Sequence, residues 1–126
     1  MKLACVWVLG LGLVGTAFGS AVGGWRKDVP EKDRVRVNPV AADAGAAAAG
    51  GEIFRERCAS CHGGDANGRG ARPSLRTERV RGATDGELQW LLRNGSLRKG
   101  MPSWSGLPEV QRWELVRYLR ELPEER

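Results

Sequence analysis

Three stretches of the chain carry apolar residues at helical spacing, and no segment alternates convincingly with a period of two. In the last of them Val110, Trp113, Leu115, Val116, Leu119 and Leu122 recur at the intervals of one helix face, starting near Pro108 or Glu109 and ended by Pro123. In the middle one Thr84 and Glu87 form a capping box ahead of Leu88, Trp90, Leu91 and Leu92, and Asn94-Gly95 supplies the stop. This predicts a short helix from about Asp85 to Arg93. The first stretch, Glu52 to Arg57, is a charged amphipathic helix with Ile53 and Phe54 on its apolar face. Gly63, Gly64, Asn67, Gly68 and Gly70 crowd into the stretch that follows, which reads as a loop. The fold class predicted is all-α, built of short helices.

The N-terminal end has a different pattern. Lys2 precedes an uncharged run from Leu3 to Val14, and the small residues near Ala17-Phe18-Gly19 satisfy the small-x-small rule for signal cleavage. Residues 1–19 are therefore expected to be a signal peptide, and the protein to be exported to the periplasm. The uncharged run continues through Trp25, so an uncleaved membrane anchor ending at about residue 25 is the alternative, weakened by the glycines between Gly10 and Gly24. Residues 20–45 read as a linker: Arg26 to Arg36 is dense in mixed charge, Pro30 and Pro39 break helices, and Ala41 to Ala49 is nearly all alanine and glycine. That leaves 46–126 as the folded domain.

Length and charge narrow this further. The chain of 126 residues has room for one domain and a leader, and a domain this small is short of core by itself. The formal net charge of +5 falls by one if Lys2 leaves with the leader, too modest to indicate nucleic acid. Arg69, Arg72, Arg76, Arg79 and Arg81 are opposed locally only by Asp65 and Glu78, and read as a solvated surface with a docking patch as the alternative.

The chemistry sits in Cys58, Ala59, Ser60, Cys61 and His62, which spell C-x-x-C-H, the attachment site of a c-type haem. Two thiols three positions apart on one turn can each add across a vinyl group of one porphyrin, and the adjacent histidine then lies under the iron. A thiol redox centre would want a β-α-β setting and a zinc site two further ligands. The only other cysteine is Cys5, in the apolar leader, and His62 is the only histidine. With no second histidine, the second axial ligand is expected to be Met101, the one methionine outside the leader. Lys99 is the alternative, at the cost of losing a proton. A buried porphyrin would supply the apolar mass that the small core lacks.

On these residues the chain resembles class I cytochrome c, in particular the short bacterial monohaem forms of the cbb3-type oxidase cytochrome c subunit family. Gly50 and Phe54 match the family's first-helix G-x-x-x-aromatic, and Leu115 and Tyr118 match the last helix that crosses that glycine. Arg72-Pro73-Ser74-Leu75 resembles G-P-x-L, with Arg72 where many members carry glycine. The resemblance implies that the Pro73 carbonyl orients His62 through Nδ1 and that Leu75 packs on the porphyrin. Gly100-Met101-Pro102-Ser103-Trp104 resembles the family's ligand loop.

The function expected is single-electron carriage by one haem c bound through Cys58 and Cys61, with His62 and Met101 as iron ligands and Pro73 and Leu75 in support. No catalytic residue is expected, because saturated coordination leaves no place for a substrate. The partners implied by the resemblance are redox proteins, a dehydrogenase or quinol-oxidising complex upstream and a terminal oxidase downstream. A five-coordinate haem sensor or enzyme, and a haem-free thiol oxidoreductase using Cys58 and Cys61, are the alternatives. Trp90, Trp104 and Trp113 read as core or haem-edge packing.

Overall fold

Asp43 opens the long helix α2 (Ala44–Arg57) by accepting a 2.8 Å hydrogen bond from the Gly45 amide. The alanines that follow are the best helix formers available, and they carry the helix well upstream of the charged amphipathic stretch. They also bury: Ala46, Ala47, Gly50, Gly51 and Phe54 form the inner face. Small residues are what this face needs, because the C-terminal helix α6 (Glu109–Glu121) crosses directly over it. A Cβ on Gly50 would stand 2.9 Å from Tyr118 Cβ and closer still to the Glu114 carbonyl oxygen. One turn on, the Phe54 and Tyr118 rings meet with centroids 5.1 Å apart.

The structure is a computed structural model and describes residues 24–125. Besides α2 and α6 it contains α1 (Glu31–Arg34), α3 (Ala59–His62), α4 (Glu78–Arg81) and α5 (Asp85–Asn94), with short 3₁₀ turns at Arg26–Asp28 and Leu97–Lys99. There is no β-strand among the described residues, so the all-α expectation holds. The Thr84–Glu87 capping box forms as predicted, each side chain reaching the other residue's backbone N–H, at 3.1 and 2.8 Å. Phe54, Leu88, Leu92, Trp113, Leu115 and Val116 make the core, joined by Ala66 and Ala83. On α6 the buried face is Arg112, Trp113, Leu115 and Val116, whereas Val110, expected to turn inward, is 50% exposed. None of the helices among the described residues is long and apolar enough to cross a membrane. The signal peptide expected over 1–19 lies outside the described residues.

The linker expected over 20–45 is, from Gly24 onward, docked on the domain. Trp25 packs against the core, Val29 is buried, and Asn38 is 3% exposed with its amide donating to the Trp113 carbonyl at 3.1 Å. The anchor alternative, extended to residue 25, therefore overlaps the folded domain. Arg26 and Arg34 both reach Glu87, which is fully buried; Arg26 Nη2 lies 3.0 Å from its Oε2 and Arg34 pairs with Oε1. The buried Asp33 lies 3.6 Å from Arg93. Arg36 stacks over Trp113, 5.1 Å from the ring centroid, and pairs with Glu109, whose carboxyl this hydrogen bond holds below the usual carboxylate range. The segment docks because Arg26, Asp33, Arg34 and Arg36 find partners in α5 and α6, while Lys27, Asp28, Glu31 and Lys32 stay in water.

Gly86 shows how close the docking is. A Cβ there would be 2.9 Å from the Arg34 carbonyl oxygen and nearer still to that of Asp33. Gly86→Ala is expected to lift the segment off α5 and open residues 24–43 to proteases under native conditions. Unchanged cleavage rates there would show that the contact yields cheaply.

The arginine cluster is also more than a solvated surface. Arg76 Nε donates to the Pro123 carbonyl at 2.7 Å and Arg81 Nη1 to that of Leu122 at 3.1 Å, so both cap the end of α6. Replacing both with glutamine is expected to speed amide exchange at Leu122 and Glu125 and to cost about 1–2 kcal/mol. Exchange at the tail that does not change would return these arginines to the solvent.

Candidate functional site

Cys58 ends α2 and begins α3. Its amide donates to Phe54 at 2.9 Å, while its carbonyl accepts from the Cys61 and His62 amides at 3.1 and 2.9 Å. One backbone turn thus carries both thiols and the imidazole. Cys58 and Cys61 are half-buried and unpaired. Burial, and then the neighbouring Cys61, push the Cys58 thiol up to about 11. At neutral pH it is a protonated thiol, whereas a thiol oxidoreductase activates its nucleophile by lowering this value. No group of three or more His, Cys, Asp or Glu side chains converges among the described residues, which leaves the zinc reading without ligands.

His62 Nδ1 lies 2.9 Å from the Pro73 carbonyl oxygen. A carbonyl only accepts, so Nδ1 is the donor of this contact and Nε2 is the ring nitrogen left for a ligand. The loop between the two residues is closed on itself: Gly68 donates to the His62 carbonyl at 2.7 Å, and Arg69 and Arg72 exchange backbone bonds of 3.1 and 2.8 Å. Leu75 then donates to Ala66 at 2.8 Å, which places its half-buried side chain against the core. Ala66 is the one non-glycine residue with positive φ among those described, so the backbone at Arg72 has no conformation that demands glycine.

Met101 is presented by a second closed loop. Its amide and carbonyl exchange hydrogen bonds of 3.1 and 3.0 Å with Ser96, around the 3₁₀ turn and a left-handed Gly100. Trp104 donates to the Leu92 carbonyl at 2.8 Å, tying the loop to α5. Met101, Leu75, Trp104, Leu107 and Cys58 are half-buried apolar residues on the same core cluster, and Lys99 is exposed. Apolar residues on the same cluster as a turn that carries two thiols and an imidazole fit a covalently held porphyrin.

Sequence reasoning missed the residue that braces this loop from below. Arg112 is 6% exposed and donates to Gln89 Oε1 at 3.0 Å, to the carbonyls of Trp104 and Ser105 at 3.3 and 3.4 Å, and to that of Leu107. Its only sequence signal is an arginine beside Trp113 in an otherwise apolar stripe.

No curated protein and no solved structure matches the chain. Residues 45–119, well over half of the chain, match the family described as cytochrome C oxidase, cbb3-type, subunit III. That match, with the helical fold and the C-x-x-C-H turn, means that the chain belongs to the cbb3-type cytochrome c oxidase subunit III family, whose cytochrome c domain serves haem-based electron transfer.

Proposed function

We propose that the protein is a monohaem c-type electron carrier in which Cys58 and Cys61 form the thioethers, His62 is the proximal ligand and Met101 the distal one. The observation that carries this reading is the 2.9 Å contact between His62 Nδ1 and the Pro73 carbonyl, which leaves Nε2 free to bind a metal. When bound, the haem iron gains and loses single electrons. The residues of the chain hold that centre still. Pro73 fixes the imidazole ring and strengthens it as a ligand, Leu75 and Trp104 exclude water, and the Ser96–Met101 backbone pair aims the thioether. A neutral sulfur ligand stabilises the reduced iron, which raises the potential into the range of a carrier.

The chain carries electrons and transforms no substrate, alone or as a subunit of a larger oxidase complex. Its donor is a dehydrogenase or quinol-oxidising complex and its acceptor a terminal oxidase, met on the periplasmic side. Its haem stays with the polypeptide through acid–organic extraction, and no thiol at Cys58 or Cys61 then reacts with alkylating reagents. Met101→Ala is expected to keep the covalent haem, lose the methionine-to-iron charge-transfer band and bind carbon monoxide rapidly when reduced. Rapid binding by the unaltered protein would instead indicate the five-coordinate sensor or enzyme, and extractable or absent haem would overturn both haem readings.

A further inference from the structure

The loop that orients His62 and the loop that presents Met101 are joined by one side chain. Arg72 Nη1 donates to the Gly100 carbonyl at 3.2 Å. The contact is close, because a Cβ on Gly100 would fall 2.8 Å from that same nitrogen. Gly100 has φ 80°, so the loop turns there through a conformation glycine adopts freely, and the guanidinium rests on the bare Cα.

Both ends of this link are fixed. The backbone of Arg72 is clamped on Arg69 by two hydrogen bonds, and its successor Pro73 receives the His62 proton donor. At the far end Met101 follows Gly100 and is clamped on Ser96. A continuous set of bonded contacts therefore runs from the imidazole to the methionine backbone, and the Arg72 side chain is the member that joins the two loops. The backbone at Arg72 has no left-handed conformation that would demand glycine, so a long side chain is accommodated there without strain.

We propose that Arg72 is a positioning residue: it holds the Met101 loop down against the His62 loop and so sets how often the thioether leaves its place. The inference rests on the ligation proposed above. A carbonyl released from this guanidinium can turn to water, so the bond is worth a modest factor, about fivefold in the equilibrium between the seated and the open loop. An external ligand that needs the open loop then binds tighter by the same factor, since its apparent affinity scales with the open fraction.

The test uses the ferric holoprotein and imidazole as the competing ligand, followed by loss of the methionine-to-iron charge-transfer band. Arg72→Ala is expected to bind imidazole about fivefold tighter with a thermal midpoint lower by only a few degrees, and Arg72→Lys, which keeps a donor, to fall between. Arg98→Ala, which removes a charge from the same loop without this contact, should leave the affinity as it was. An Arg72→Ala affinity within twofold of the parent, or equal tightening by Arg98→Ala, overturns the proposal. If the parent lacks the charge-transfer band and binds imidazole as Met101→Ala does, it is the ligand assignment that has failed, and this proposal falls with it.

Discussion

Glu87→Ala is expected to destabilise the protein by about 3–4 kcal/mol and to free residues 24–43 from the domain. The carboxylate is fully buried, and it meets Arg26 at 3.0 Å, Arg34, and the Thr84 amide at 2.8 Å. Removing one partner of a buried ion pair costs about 3–5 kcal/mol, because the other charge is left without compensation. Here the two arginine side chains are 21% and 31% exposed and recover some water, which places the loss at the lower end. The broken capping box adds about 1 kcal/mol. Urea denaturation gives the first quantity and native-state proteolysis at 24–43 the second. A loss below 1 kcal/mol with the segment still protected would mean that Glu87 is only a helix cap. Glu87→Gln separates the roles, since the amide oxygen still accepts from Thr84 while the charge is gone.

Gly50→Ala sets two effects of opposite sign against each other. In a helix interior alanine is favoured over glycine by about 1 kcal/mol. Against this, the new methyl would stand 2.9 Å from Tyr118 Cβ and closer still to the backbone at Glu114, neither of which is the movable tip of a side chain. Forcing apart two packed helices costs about 1–3 kcal/mol and occasionally more. The α2–α6 crossing is the most extensive helix pair among the described residues, so packing is expected to win, with a net loss of about 2 kcal/mol and a larger one for Gly50→Val. Thermal or urea unfolding of the holoprotein decides the sign. A variant more stable than the parent would show that the helices separate cheaply.

The sequence was most legible where chemistry or a local pattern sufficed. The C-x-x-C-H turn, the Thr84–Glu87 box and the stop at Asn94-Gly95 depend on residues close along the chain, and each forms as predicted. The docked segment was not legible, because pattern reading assigns a dense run of mixed charge to water. What it cannot see is that Arg26 and Arg34 find a carboxylate on α5, and that Asn38 finds a backbone carbonyl on α6. Ala44 to Ala49 misled for the opposite reason. Side chains with little to bury look like a tether, yet a face of small residues is what lets α6 approach. At the site, the Pro73 carbonyl was reached only through family resemblance, since a backbone oxygen has no sequence signature of its own. Arg112 was out of reach because its partners are likewise backbone carbonyls, those of Trp104, Ser105 and Leu107, beside one side-chain amide.

The docked segment also bears on reach. A flexible coil of the length of residues 24–43 would let the domain at its end range over roughly 25 Å, enough to swing between a donor and an acceptor. Fastened at Glu87, Gly86 and Trp113, that length contributes nothing to travel. From Arg26 to Asn38 the segment is held at fixed points on α5 and α6. The orientation of the cofactor face relative to Arg26 is then built into the fold, and the docked segment turns together with the domain it is fastened to.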